Sequence, residues 1–129
     1  MEALLRDILS DIVKLDDILL IVRTGGAISE MRSNSLTLRQ KDNWITIGDS
    51  DGPCHMHIDA STVSSAQFAR EQKEGRVSYS VRFFDKGGAK MLSAVFSKMY
   101  DESMRIRQDR LKMYEDLFQR YGSKEKISF

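Results

Sequence analysis

The sequence has one cysteine, one proline and one tryptophan in 129 residues. With Cys54 alone no internal disulfide forms, so a reducing compartment is expected. No run approaches the roughly eighteen apolar residues that span a bilayer. The acids Glu2, Asp7 and Asp11 interrupt the first apolar pattern, which argues against a signal peptide. An excess of one charge is missing too. Twenty Lys and Arg against 19 Asp and Glu leave a net charge of +1, too little to steer the chain toward nucleic acid or an anionic membrane. No internal repeat or low-complexity stretch is present. What remains is an ordinary globular composition, 41% apolar and 30% charged, at the length of one domain of roughly 100–200 residues. Such a chain buries about two thirds of its unfolded surface, so its core needs no metal or disulfide staple. The chain is read as a single cytoplasmic domain, 1–129.

What is present is patterned. Leu4, Leu5, Ile8, Leu9, Ile12 and Val13 recur at spacings of three and four, which predicts a helix over about 2–15 with Glu2 and Asp7 near its positive end. Residues 18–22 form a continuous apolar run, followed by the turn Thr24-Gly25-Gly26 and a partner through Ile28. Both faces of that run are apolar, so a strand covered on both sides is expected. Leu36 and Leu38 pair as a hairpin with 44–47 across Asp42-Asn43. A loop over 48–53 leads to a strand over 54–58 and a turn over 59–62. Residues 67–71 and 77–84 flank Lys73-Glu74-Gly75 as a third hairpin, and 91–96 is its neighbour. Asp101 is an N-cap candidate for a last helix over about 101–121, striped by Leu111, Tyr114, Leu117, Phe118 and Tyr121 and stopped by Gly122. The tail from Ser123 is expected to fray. The sum is an α+β domain. Its antiparallel sheet of seven or eight strands, built from successive hairpins over about 18–97, is flanked by an N-terminal and a C-terminal helix.

The chain has only two histidines, His55 and His57, in Cys54-His55-Met56-His57-Ile58-Asp59. Strand alternation puts both on one face and Cys54, Met56 and Ile58 on the other, which is the natural core face. The histidines therefore look outward or into a cleft, either as two solvated side chains or as ligands. Neutral imidazole suits zinc or iron with Asp59 as a third ligand, though no third histidine exists. The same parity argues against a Cys–His nucleophile pair. Gly48-Asp49-Ser50-Asp51-Gly52 matches the Gly-x-Ser-x-Gly string, but Pro53 and a strand follow where a nucleophile elbow needs a helix. Gly87-Gly88-Ala89-Lys90 lacks phosphate-loop spacing and reads as a hairpin turn. No catalytic residue emerges. On the last helix Arg105, Arg107, Arg110, Lys112 and Arg120 are interleaved with acids and read as a solvated face. In the strand over 76–85, Val77, Tyr79, Val81 and Phe83 line a packing face. Ser78, Ser80, Arg82 and Phe84 line a mixed face, where Arg82 suits the carboxylate of a flat ligand.

Three stretches taken together resemble the HemS/ChuX-like haem-utilisation family in its single-module form. They are Ile18-Leu19-Leu20-Ile21-Val22 with Gly25-Gly26-Ala27 and Glu30; Gly52-Pro53-Cys54-His55-Met56-His57-Ile58-Asp59; and Ser78-Tyr79-Ser80-Val81-Arg82-Phe83-Phe84-Asp85 with Gly88. The likeness spans roughly 18–97, about 60% of the chain. It implies a cytoplasmic protein that binds haem delivered by uptake systems, as a carrier or store, and a homodimer that mimics the double-module relatives, some of which are associated with haem breakdown. It also implies His57 as the first choice of contact or axial ligand to the haem iron and His55 as the second. Tyr79 is the third, as a phenolate, although its parity faces the core; Arg82 would meet a propionate. Two alternatives stay open: a dimeric interaction or regulatory module without haem, and a haem-degrading enzyme, for which no acid–base or electron-donor site is identifiable.

Overall fold

The computed structural model describes residues 2–34 and 36–129. Its elements in order are α1 (Glu2–Val13), β1 (Ile18–Thr24), β2 (Ala27–Arg32), β3 (Leu38–Lys41), β4 (Trp44–Gly48) and β5 (His55–Asp59). A single 3-10 turn (Ala60–Thr62) leads to β6 (Val63–Lys73), β7 (Arg76–Asp85), β8 (Lys90–Phe96), α2 (Gln108–Arg120) and β9 (Lys126–Ser128). This is the expected α+β class with hairpins at the expected turns. The expectation that Glu2 complements the helix dipole concerns a side chain outside the described residues.

The single sheet expected from the hairpins is two sheets. Six strands run in the order β2-β1-β8-β7-β6-β9, and β3-β4-β5 form a smaller antiparallel sheet that carries the histidines. The break follows β2, where polar side chains take the chain off the sheet edge. Ser33, fully buried, donates its hydroxyl to the Leu15 carbonyl at 2.6 Å and accepts from the Ile18 amide at 3.1 Å. Asn34 accepts from the Asp17 amide at 2.7 Å.

One apolar cluster joins the layers. The α1 stripe (Leu5, Ile8, Leu9, Ile12) is buried as its spacing predicts, together with Ile45 and Ile47 of β4 and Leu20, Val81, Phe83 and Ala94 of the large sheet. Tyr114 anchors α2. Its ring meets those of Phe68, Tyr79 and Phe96 edge-on at 5.8, 5.2 and 5.0 Å between centroids, and its hydroxyl donates to the Ser80 carbonyl at 3.1 Å. Among the described residues no helix is long and apolar enough to cross a membrane.

Four expectations are corrected. The second face of β1 is not fully covered: Leu19 and Ile21 are only half-buried, whereas Ile18 and Leu20 on the opposite face are fully buried. The last helix begins at Gln108 rather than near 101. The Asp101 carboxylate instead accepts from the Ser103 and Arg105 amides at 2.8 and 3.0 Å, closing a turn in which Met104 has a positive φ that a helix forbids. Arg110, read as solvated, is buried. The tail is not frayed: β9 pairs with β6, placing Ile127 opposite Ala66, and the Phe68 amide donates to the Glu125 carbonyl at 2.7 Å. Ile127 is 8% exposed, so Ile127→Ala is expected to cost about 2 kcal/mol through lost burial and a cavity. Urea unfolding checks this, and an unchanged midpoint would show that the tail contributes nothing.

Candidate functional site

The small sheet is built by alternation. Ile45 and Ile47 are fully buried, so Trp44, Thr46 and Gly48 of the same strand face outward. Across β4 and β5 the register is Trp44 to Asp59, Thr46 to His57 and Gly48 to His55. Across β3 and β4 it is Arg39 to Thr46 and Lys41 to Trp44. The parity read for the histidines holds: His55 and His57 are exposed while Met56 and Ile58 are half-buried against the core. Cys54 is the exception. It precedes the strand, is exposed, and does not share the core face, because the alternation begins only at His55.

The two imidazoles stand with ring centroids 5.1 Å apart at 66°. His57 Nδ1 lies 2.9 Å from the hydroxyl oxygen of Thr46, which is itself 7% exposed. With the proton on Nδ1 donated to that oxygen, the lone pair of Nε2 is free and the ring is held in place. His55 has no such orienter, since the residue across from it is Gly48. That glycine is required by the close pairing of the strands. Its φ is +86°, and a Cβ there would sit 2.6 Å from the Cys54 carbonyl oxygen.

Asp59 is not a third ligand beside the histidines. Its carboxylate is turned onto the 3-10 turn, where it accepts from the Ser61 amide at 3.0 Å and the Ser61 hydroxyl at 2.6 Å. Among the described residues no group of three His, Cys, Asp or Glu is placed to hold a bare metal ion. Alongside β5, where the small sheet meets the large one, opens an apolar cleft of about 270 Å³. Leu9, Val22, Met56, Ile58, Phe83 and Met91 line it, with His57 among its walls.

Arg82 and Tyr79 occupy the two faces of β7 in the other sheet. Arg82 lies on the open face, ion-paired with Glu71, whose carboxyl it holds below the usual carboxylate range. Tyr79 is 7% exposed in the core, with its ring beside Tyr114 and the Arg70 guanidinium 5.5 Å from its centroid. Burial pushes its phenol pKa up, which disfavours a phenolate. The structure thus brings the two histidines together and places the other two predicted residues elsewhere. It adds Thr46, Trp44 and Arg39 to the histidine face, a grouping that depends on the register of three strands.

A protein-family model matches residues 6–122. Among solved structures, ChuX superposes with a TM-score of 0.77 at 15% identity, over 92% of this chain and 72% of its own. A protein from Agrobacterium tumefaciens gives 0.73 at 24% identity, over 90% and 66%. Holo-PhuS, a haem-binding protein from Pseudomonas aeruginosa, gives 0.67 at 13% identity, over 89% of this chain and 32% of its own. Curated protein sequences contain no match. At these identities the likeness to solved structures shows the fold.

Proposed function

Because the chain belongs to the ChuX/HemS-like family, we propose that it is an intracellular haem-binding protein of haem-iron utilisation, a carrier or store that does no chemistry on the porphyrin. ChuX and PhuS are themselves haem-binding proteins. The observation that carries the proposal is His57, an exposed imidazole whose Nδ1 lies 2.9 Å from the Thr46 hydroxyl, which orients the ring and leaves Nε2 as the nitrogen open to a ligand. A neutral imidazole held by a hydrogen bond at its other nitrogen is the donor that haem iron takes from a protein. His57 is therefore assigned as the axial ligand, with His55 as its alternate. Tyr79, held in the core, and Arg82, held by Glu71, stay outside the assignment.

The apolar cleft alongside β5 sets a limit on the site. Its 270 Å³ is below the roughly 300–1,000 Å³ of sites that engulf a small ligand. Its walls include Met56 and Ile58 from the face of β5 opposite the imidazoles, so the macrocycle is left to the histidine face and to another surface. A second copy of the chain supplies that surface in this proposal, making the working form a homodimer. The test is a titration of haemin into the purified protein, with the mass read by light scattering at micromolar concentration. A saturable, shifted Soret band at one haem per chain, on a dimeric mass, is the expected outcome. Only the slow spectrum of free haemin would end the haem proposal and leave a haem-free interaction module; a monomeric mass would end the dimer.

A further inference from the structure

Trp44 is the only tryptophan in the chain and is 52% exposed, whereas tryptophan is on average a highly buried residue. Its direction is not an accident of a loop. It alternates with the fully buried Ile45 and Ile47, so the strand that packs the core presents the indole outward. The register surrounds it with particular chemistry. Lys41 lies directly across β3, and His57 is its diagonal neighbour across β5, a spacing of about 7–8 Å between Cα atoms in antiparallel sheets. Arg39 completes the row through Thr46 to His57, about 10 Å from the histidine across two strand spacings. The guanidinium of Arg39 is positioned by the Ser50 hydroxyl at 2.6 Å. Asp59, the acid in the Lys41–Trp44 row, directs its carboxylate at Ser61.

We propose that this outer face of the small sheet is the platform on which the porphyrin plane lies, with Trp44 stacked against the macrocycle and Arg39 and Lys41 receiving its carboxylates. The inference rests on the haem function proposed for His57 and names further residues of that site. A flat aromatic dianion with a central metal needs three things from a protein surface: a ring to stack on, a lone pair for the metal and cations for the acids. Indole supplies the first through offset stacking, His57 the second, and Arg39 and Lys41 the third, arginine through its planar fork. The iron is reached from one side of the platform while the cations lie on the opposite strand. That spread matches a ligand whose acids are at its periphery and whose metal is at its centre.

The test uses the full chain and its wild-type haemin affinity as reference. Trp44→Ala is expected to weaken haemin binding about tenfold, by losing stacking and buried area, while Trp44→Phe stays near wild type. The double substitution Arg39→Gln with Lys41→Gln is expected to weaken binding of haemin but not of haemin dimethyl ester, which has no carboxylates to lose. All three side chains are exposed, so thermal unfolding should remain at the wild-type midpoint in each variant. Unchanged haemin affinity in Trp44→Ala and in the double variant, with His57→Ala still losing the Soret shift, would overturn the platform and leave the haem proposal standing. Equal losses for haemin and its ester in the double variant would overturn the carboxylate role. A wild type that shows no saturable Soret band would remove both proposals together.

Discussion

His57→Ala is expected to abolish the shifted Soret band at haemin concentrations that saturate the wild type, whereas His55→Ala keeps it. The two residues share a face and a strand, but only one is oriented. Thr46 holds His57 through Nδ1 at 2.9 Å, while Gly48 offers His55 nothing to bond. Removing an outer hydrogen-bond partner of a metal ligand costs roughly 10–100-fold in affinity. Removing the ligand itself should therefore cost about 100-fold or more, and Thr46→Val about tenfold, by the same comparison. Both histidines are exposed, so neither substitution should alter stability, and loss of binding reads directly on the site. The reverse pattern, with His55→Ala silent in the Soret region and His57→Ala unaffected, would exchange the roles.

Arg110→Ala is expected to be strongly destabilising, by about 3 kcal/mol, lowering the thermal midpoint by roughly 10 °C. Arg110 is 4% exposed on α2, and its guanidinium donates to the carbonyls of Asp16 at 2.7 Å, Asp17 at 3.2 Å and Ser97 at 2.9 Å. These carbonyls belong to the loop before β1 and the segment just after β8, so one side chain ties α2 to both. Burial works against its charge and the neighbouring Asp17 supports it. Truncation removes the donors and leaves a void beside carbonyls that water does not easily reach, and each unpaired group costs more than a hydrogen bond gains. Arg110→Lys should recover only part of the loss, since an ammonium is a compact donor without the planar fork that spans all three carbonyls. Calorimetry decides it. A midpoint within one or two degrees of wild type would mean that α2 is held by its apolar face alone.

Arg110 also shows where reading from sequence stops. Interleaved acids and bases on a helix usually signal a wet face, and nothing within the helix itself distinguishes the one arginine whose partners lie more than ninety residues earlier at Asp16 and Asp17. The same holds for β9, whose partner strand begins at Val63. It holds again for the division into two sheets, which depends on Ser33 and Asn34 reaching back to Leu15, Asp17 and Ile18. Local features were readable because local physics decides them. The α1 stripe follows from the helical period, the hairpin turns from their glycines and acids, and the outward direction of His55 and His57 from the two-residue period of a strand. The start of α2 departs from the expected position although it is local. Asp101 caps a turn just as it would cap a helix, and the positive φ of Met104 that separates the cases leaves no mark in residue type. The significance of Trp44 lies in its cross-strand neighbours, which residue type alone does not give.

The central claim is that Nε2 of His57 ligates haem iron, and the sequence offers a clean way to ask. The chain has two histidines, so in His55→Ala protein His57 is the sole source of imidazole. Resonance Raman spectroscopy of the ferrous haem complex of that variant, prepared with natural and with nitrogen-15 histidine, reports the iron–nitrogen stretch of the ligand directly. An iron–ligand band that shifts on labelling is the predicted result. A haem complex whose iron–ligand band ignores the label, or lacks an iron–nitrogen stretch altogether, would contradict it.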